Sequence, residues 1–261
     1  LDAAVHSFQK QSGWEVRGLN NDTIKDYLDV ATELPACYND LDSIARKTDT
    51  IRLALLCKYG GVWTDASTFF GQPLDSWIPR EANTELVAFY LEAYGSGVGL
   101  SDEVIESWFI AAPKQGEIIT RWRDTFFSEL EIGIKLMKAN NISLDDALNK
   151  SQLKKETKMY RKEISAYLHI HVCMMYLRQK DSVVMALMKT PAVKLYSAMD
   201  DPFYRCIEPH GFHHTLGNLM SAQELKEYEM KRGKKIMFTK LVGHQRTFAI
   251  DNYYNMYSMS L

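Results

Sequence analysis

The sequence predicts an α/β fold, in which helices pack on a central sheet and a helical excursion occupies the second half. Three observations lead to this prediction. Residues 43–59 carry apolar side chains at helical spacing and lead through two glycines into a short apolar strand. Residues 86–91 and 107–112 are apolar runs with the length of buried strands. Between residues 116 and 188 the apolar side chains return to helical spacing.

The chain before the first long helix alternates short elements. Residues 3–12 are predicted to be the end of a helix, and residues 15–19 a short strand. Residues 20–22, Asn-Asn-Asp, supply turn and N-cap chemistry for a short helix over residues 23–29. This strand–turn–helix order is typical of an α/β protein.

The helix over residues 43–59 is the clearest element. Gly60 and Gly61 end it, because glycine accepts the left-handed conformation at a helix terminus. The next three residues, Val-Trp-Thr, are a strand candidate that ends on Asp65. Ligands of open α/β sheets bind beyond the carboxyl ends of strands, so this order indicates a functional role for Asp65.

The helical second half has one clear apolar face. Its members are Ile119, Trp122, Phe126, Leu130 and Met137. A second helix is predicted over residues 164–177, and the polar stretch 149–162 is predicted to be a solvated helix or loop. Residues 235–243 predict a returning strand. Because no repeat or linker interrupts the chain, we expect a single domain over residues 1–261.

The composition excludes several classes of protein. Lys and Arg number 31 against 33 Asp and Glu, so the chain lacks the basic excess of a nucleic-acid-binding protein. No apolar run approaches the ~18 residues of a membrane span. The four cysteines form no CxxC pair, which is typical of a reducing compartment. We therefore expect a cytoplasmic protein, at most peripherally attached to a membrane. A lumenal location is the alternative if a segment precedes Leu1.

One segment carries most of the functional argument. Residues 45–68 read ARKTDTIRLALLCKYGGVWTDAST. They resemble the motif S-D-x-x-R-x-x-x-L-x-x-x-G-G-V-[WY]-x-D-x-[DST] of GT-A glycosyltransferases of the capsular polysaccharide synthesis type, and of the related mannosyltransferases and large-toxin glucosyltransferases. The matching residues are Asp49, Arg52, Leu56, Gly60, Gly61, Val62, Trp63 and Asp65. Thr48 stands where Ser is usual, and Ser67 stands where the strictest form has a second Asp.

The resemblance implies a GT-A, Rossmann-like fold with residues 116–188 on the acceptor side. It implies transfer of a sugar from a UDP- or GDP-linked donor to a glycan or other hydroxyl acceptor, mostly with retention of configuration. The catalytic residues it implies are Asp49, Arg52 and Asp65. The donor-binding residues it implies are Asp49, Arg52, Gly60, Gly61, Asp65, Ala66, Ser67 and His244. Since such folds open with a strand that holds the nucleotide base, we expect one before Leu1.

The resemblance also implies a divalent cation, Mn2+ or Mg2+. The leaving diphosphate gains charge as the glycosidic bond breaks, and a cation that bridges it to a carboxylate neutralises that charge. Both ions prefer oxygen ligands, which makes Asp65 a suitable ligand. Ser67 and His244 are the further metal ligands that we expect.

Other interpretations of the same residues stay open at this point. Asp49 and Arg52 could form an exposed helix ion pair worth well under ~1 kcal/mol. Without a second Asp at position 67, the chain could be a nucleotide-sugar-binding or scaffold protein with weak catalysis. Trp63 is expected to pack beneath the site rather than to contact the donor.

The histidines outside the motif suggest a third class of function. His210, His213 and His214 lie close together in the sequence and would suit a zinc metallohydrolase. His169 and His171 are two apart on a predicted helix and therefore face different directions. We expect core or surface roles for these two.

Overall fold

The computed structural model describes residues 7–11, 13–66, 68–70, 72–79, 81, 83–91, 104–157, 168–198, 227, 230 and 238–240. The chain divides into two compact units. The first unit takes its residues from 1–18, 64–80 and 196–261, and the second from 19–63 and 81–195.

The strands form one four-stranded sheet and one strand pair. The strands are β1 (Gly61–Thr64), β2 (Thr68–Phe70), β3 (Leu86–Leu91), β4 (Val104–Ala112), β5 (Val193–Ser197) and β6 (Phe238–Lys240). The larger sheet is mixed and has the order β1-β4-β3-β5, with β3 and β4 antiparallel. Strands β2 and β6 pair antiparallel in the first unit.

The helices are concentrated in the second half of the chain. Those with defined bounds among the described residues are α1 (Ile44–Tyr59), α2 (Glu117–Asn140), α3 (Leu144–Asn149), α4 (Gln152–Glu156), α5 (His169–Lys180) and α6 (Ser182–Leu187). The predicted α/β class, with its helical excursion after residue 116, is therefore confirmed. In the described part of the chain, no helix has both the length and the apolar character needed to cross a bilayer.

The first long helix forms where the sequence predicts it, because its ends are fixed by local chemistry. The Ser43 side chain accepts a hydrogen bond from the backbone N–H of Arg46, 3.2 Å away, and so caps the first turn. At the other end, the Gly60 N–H donates to the Leu56 carbonyl, and Gly60 has a positive φ of 71°. The apolar face of α1 packs into the core of the second unit.

Two predictions near the N-terminus are wrong. Residues 15–19 form no strand, because residues 15–18 are exposed and offer no face to bury. This segment follows Trp14, whose indole N–H donates to Asp75 at 2.8 Å. The helix predicted over residues 23–29 is only a 3-10 turn, Ile24–Asp26. Further along, β4 begins three residues before the predicted strand at 107–112.

The core of the second unit lies between the sheet and helices α2 and α5. Trp122 of α2 is completely buried, and its indole N–H donates to the Ile170 carbonyl of α5 at 2.9 Å. Of the predicted apolar face of α2, four side chains are buried and Met137 is partly buried. This packing fixes α5 against the sheet.

Strand β4 carries extra residues relative to its neighbour β3. Ala88 pairs with Ile110 and Tyr90 pairs with Ile105. Between these pairs β3 contributes Phe89 alone, whereas β4 contributes the four residues 106–109. Such a bulge bends the strand and changes the direction of its side chains, and bulges are common beside active sites.

The first unit is held by aromatic and main-chain contacts of its own. The rings of Phe8 and Phe70 lie with their centres 5.2 Å apart. The Tyr196 hydroxyl donates to the Trp77 carbonyl at 2.6 Å, and the two rings meet edge to face. Of the predicted strand at residues 235–243, the described residues 238–240 form β6.

Candidate functional site

Helix α1 places Asp49 and Arg52 one turn apart on its buried face. The Arg52 guanidinium donates to the Asp49 carboxylate, with 3.2 Å between Nη2 and Oδ1. Its other terminal nitrogen donates to the main-chain carbonyl of Ser107 in the bulge of β4. The guanidinium carbon also lies 5.2 Å from the centre of the Trp63 ring. We name these four residues the Arg52 clamp.

The burial of the clamp decides between two interpretations of the Asp49–Arg52 pair. Both side chains are more than nine-tenths buried. An exposed ion pair is therefore the wrong interpretation. A buried charge costs several kcal/mol unless it is paired and hydrogen-bonded, and Arg52 meets that requirement through a carboxylate, a carbonyl and an aromatic face. The planar fork of Arg52 is consequently fixed in one orientation.

Trp63 and the two glycines complete the part of the motif that lies in the second unit. Trp63 is half-buried and packs against the core, as expected for a side chain beneath the site. Gly60 and Gly61 both have positive φ angles, 71° and 93°. A Cβ atom on Gly60 would lie 2.5 Å from the backbone nitrogen of Lys114, whereas one on Gly61 would meet nothing within 4 Å. Position 60 therefore requires glycine, because any Cβ atom there would collide with the main chain of residue 114. Contact of either glycine with a donor stays a prediction.

Asp65 follows β1 and belongs to the first unit. It is half-buried at a turn in which the Thr68 N–H donates to the Asp65 carbonyl at 3.0 Å. The side-chain oxygens of Thr64 and Thr68 are buried and have no hydrogen-bond partner among the described residues. All three side chains offer oxygen atoms, which suits Mn2+ or Mg2+. Such ions often use only one or two protein carboxylates together with substrate phosphates and water.

The remaining predicted ligands lie elsewhere in the chain. Ala66 is exposed in the turn after Asp65. Ser67 and His244 lie outside the described residues, as do the three late histidines at 210, 213 and 214. Within the described ranges, no three His, Cys, Asp or Glu side chains form a metal-binding group. The residues around Asp65 therefore fit a cation in chemistry, and the full set of ligands stays a prediction.

Sequence reasoning missed two buried pairs of an acid and a histidine beside the clamp. His169 Nε2 lies 3.1 Å from Glu129 Oε2, and His171 Nε2 lies 3.8 Å from Glu106 Oε2. All four residues are buried. The two histidines face different directions, as their spacing predicts, and both have core positions. A signal was present for Glu106, a carboxylate directly before an apolar run.

The Cys173 thiol is influenced by charges from both the clamp and one of these pairs. Cys173 lies on α5 and is fully buried. Burial raises the pKa of its thiol, and the negative charges of Glu129 and Asp49 raise it further. The charge of Asp49 therefore acts on α5 as well as on Arg52. Asp49 of the clamp and Glu129 of the second pair thus both influence one residue of α5.

Comparison with known proteins agrees with the resemblance drawn from the motif. Residues 2–132 match the family described as "Capsular polysaccharide synthesis protein". The chain is also 36% identical over 76 residues to the Saccharomyces cerevisiae protein named "Putative glycosyltransferase HOC1". That match covers 28% of this chain and 19% of the yeast protein. No solved structure matches at a significant level. With half of its length matched, the chain belongs to the capsular polysaccharide synthesis protein family.

Proposed function

We propose that this chain is a glycosyltransferase that moves a sugar from a nucleotide-diphosphate donor to a glycan or another hydroxyl acceptor. The observation that carries the proposal is the Arg52 clamp. An ion pair on a helix surface needs neither burial nor a strand carbonyl, whereas Asp49 and Arg52 have both. The family and the similarity to the yeast protein support the same class of reaction.

The clamp residues have the chemistry that donor binding needs. The carboxylate of Asp49 accepts hydrogen bonds from sugar hydroxyls, and the fork of Arg52 donates to a sugar or phosphate oxygen. Because Ser107 and Trp63 already fix the guanidinium, the Arg52 side chain loses little conformational freedom when the donor binds. Binding energy can then be used in the transition state, where charge develops on the leaving diphosphate.

A divalent cation is part of the proposal, with Asp65 as its protein carboxylate. When bound, it neutralises charge on the diphosphate leaving group. The side chains of Ser67 and His244 are proposed as further ligands. If the reaction retains configuration, the leaving phosphate itself takes the acceptor proton, and no dedicated base is needed. An inverting reaction requires a carboxylate or histidine as base.

The first test measures binding of nucleotide sugars to the purified chain in the presence of Mn2+. UDP- and GDP-linked sugars are screened by thermal shift, and the dissociation constant of the best donor is then measured. Arg52→Lys keeps the charge but loses the fork, so donor affinity should fall by about 10- to 100-fold. Arg123→Lys changes a residue whose ion pair is with its chain neighbour Asp124, and this control should bind normally. Equal affinity in both variants would contradict the donor role.

The second arm measures turnover. Asp65→Asn should abolish Mn2+-dependent donor hydrolysis or transfer while the thermal stability of the chain is retained. Unchanged turnover would exclude Asp65 as the metal ligand.

A second candidate function is a donor-binding or scaffold protein with weak catalysis. Ser67 in place of the second Asp is the observation that favours it. Donor binding without hydrolysis or transfer would support this alternative. A metallohydrolase built on the late histidines would instead be indicated by zinc in the purified protein.

A further inference from the structure

Glu106 and His171 meet at the edge of the Arg52 clamp. Glu106 directly precedes Ser107, whose carbonyl holds the Arg52 guanidinium. The Glu106 carboxylate lies 3.8 Å from the His171 imidazole, and both residues are more than nine-tenths buried. Neither ring nitrogen of His171 has a hydrogen-bond partner among the described residues. The pair therefore connects α5 to the same short stretch of β4 that holds Arg52.

That stretch of β4 is the bulge, where pairing with β3 is interrupted, while β1 borders β4 on its other edge. Four residues of β4 stand opposite Phe89 alone, so the regular pairing of β3 does not fix the main chain of Glu106 and Ser107. On one side of Phe89, stacking against Trp108 at 5.1 Å fixes the later part of the bulge. In the earlier part of the bulge, the carboxylate of Glu106 lies beside His171 of α5.

Burying a carboxylate beside an imidazole costs desolvation free energy, and hydrophobic residues of similar size avoid that cost. The presence of the pair therefore calls for a role other than packing. The second pair, His169–Glu129, offers a comparison. It is shorter, at 3.1 Å, and it joins α5 to α2 rather than to β4. Glu106–His171 differs in that one partner lies next to the carbonyl that orients Arg52.

We propose that Glu106 and His171 are positioning residues for Arg52. They hold the bulge of β4 against α5, so that the Ser107 carbonyl stays directed at the guanidinium. The importance of this arrangement for catalysis rests on the proposed function, whereas the positioning itself is a property of the folded chain. The two can therefore be tested separately.

The structural arm follows the Arg52 side chain by nuclear magnetic resonance in 15N-labelled full chain. The Nε–Hε signal of Arg52 is identified by its loss in Arg52→Lys. Glu106→Ala should shift this signal and speed exchange of the proton with water about 10-fold or more, because the carbonyl anchor loosens. Glu129→Ala, the matched control, removes the acid of the other pair and should leave the signal in place. An unmoved signal in Glu106→Ala, or equal changes in both variants, would overturn the inference.

Two further variants keep the NMR experiment informative if Glu106→Ala fails to fold. Glu106→Gln keeps the size of the side chain and an oxygen beside His171, and it should restore most of the signal. His171→Leu removes the partner while keeping an apolar side chain, and it should reproduce the effect of Glu106→Ala. If Glu106→Gln behaves like Glu106→Ala while His171→Leu leaves the signal unmoved, the pair does not position Arg52.

The functional arm is a double-mutant cycle on donor affinity. With Arg52 present, Glu106→Ala should weaken binding of the donor about 10-fold. In the Arg52→Lys background the same change should cost less than about 2-fold, because the residue through which it acts is gone. Equal losses in both backgrounds would count against positioning. If the unmodified chain binds no nucleotide sugar while the Arg52 signal responds as expected, the proposed function has failed and the positioning inference stands.

Discussion

Replacing Gly60 by alanine tests the close approach of two backbone segments at the end of α1. Gly60 has φ 71° and ψ −161°, a region that is essentially restricted to glycine and costs other residues about 1–3 kcal/mol. The new Cβ atom would also stand 2.5 Å from the Lys114 nitrogen. That contact is with backbone, so it can be relieved only by moving the chain, at about 1–3 kcal/mol more.

Gly61→Ala is the matched control. Gly61 also has a positive φ, 93°, but its Cβ atom would meet nothing within 4 Å. It should therefore show the conformational cost alone, about 1–3 kcal/mol as for Gly60. The difference between the variants isolates the steric contact.

The assay is thermal unfolding followed by tryptophan fluorescence. In a chain of this size, each kcal/mol corresponds to roughly 2–4 °C, so Gly60→Ala should melt about 2–12 °C below Gly61→Ala. Equal melting temperatures would refute the argument that the backbone of residues 112–114 requires glycine at position 60. A lower melting temperature for Gly61→Ala would refute it as well.

The remaining predictions concern a buried cation and a buried thiol. The buried Arg46 pairs with both Asp42 and Asp145, so Asp145→Asn removes one of its two partners and should cost about 1 kcal/mol in denaturant unfolding. The more exposed pair of Arg123 and Asp124 is the control, and Asp124→Asn should cost under ~0.5 kcal/mol. Equal costs would contradict this. Burial, with the charge of Glu131, raises the pKa of the Cys37 thiol from 9.0 to about 11. The folded chain keeps a proton that the unfolded chain releases, so stability should fall as pH rises from 9 to 11. Cys37→Ala should flatten that decline, and an identical decline in both proteins would exclude the thiol as its cause.

The elements that the sequence predicted correctly are those whose signals are local. Ser43 caps α1 and Gly60 ends it, and both signals lie within one turn of the helix they limit. Strand β3 was predicted with its observed bounds, because an unbroken apolar run of six residues suits a buried strand. The apolar face of α2 likewise follows from helical spacing alone.

The features that the sequence did not predict depend on contacts between distant residues. Glu106 and His171 are 65 positions apart, and no local pattern indicates that they meet. The bulge of β4 depends on which residues of β3 stand opposite, and register is not encoded in either strand separately. For the same reason, the motif indicated Asp49 and Arg52 but not that a strand carbonyl would hold the arginine.

The contact at Gly60 has a consequence for interpreting the motif in other proteins. The glycine is required by the meeting of a helix end with residues 112–114, so it reports the architecture of the chain. Under the proposed function, Asp49 and Arg52 instead supply the chemistry of donor binding. A protein that kept both glycines but had lost the acid and the arginine should therefore fold in this way without transferring sugar. Searches for active members of the family should weight the charged positions above the glycines.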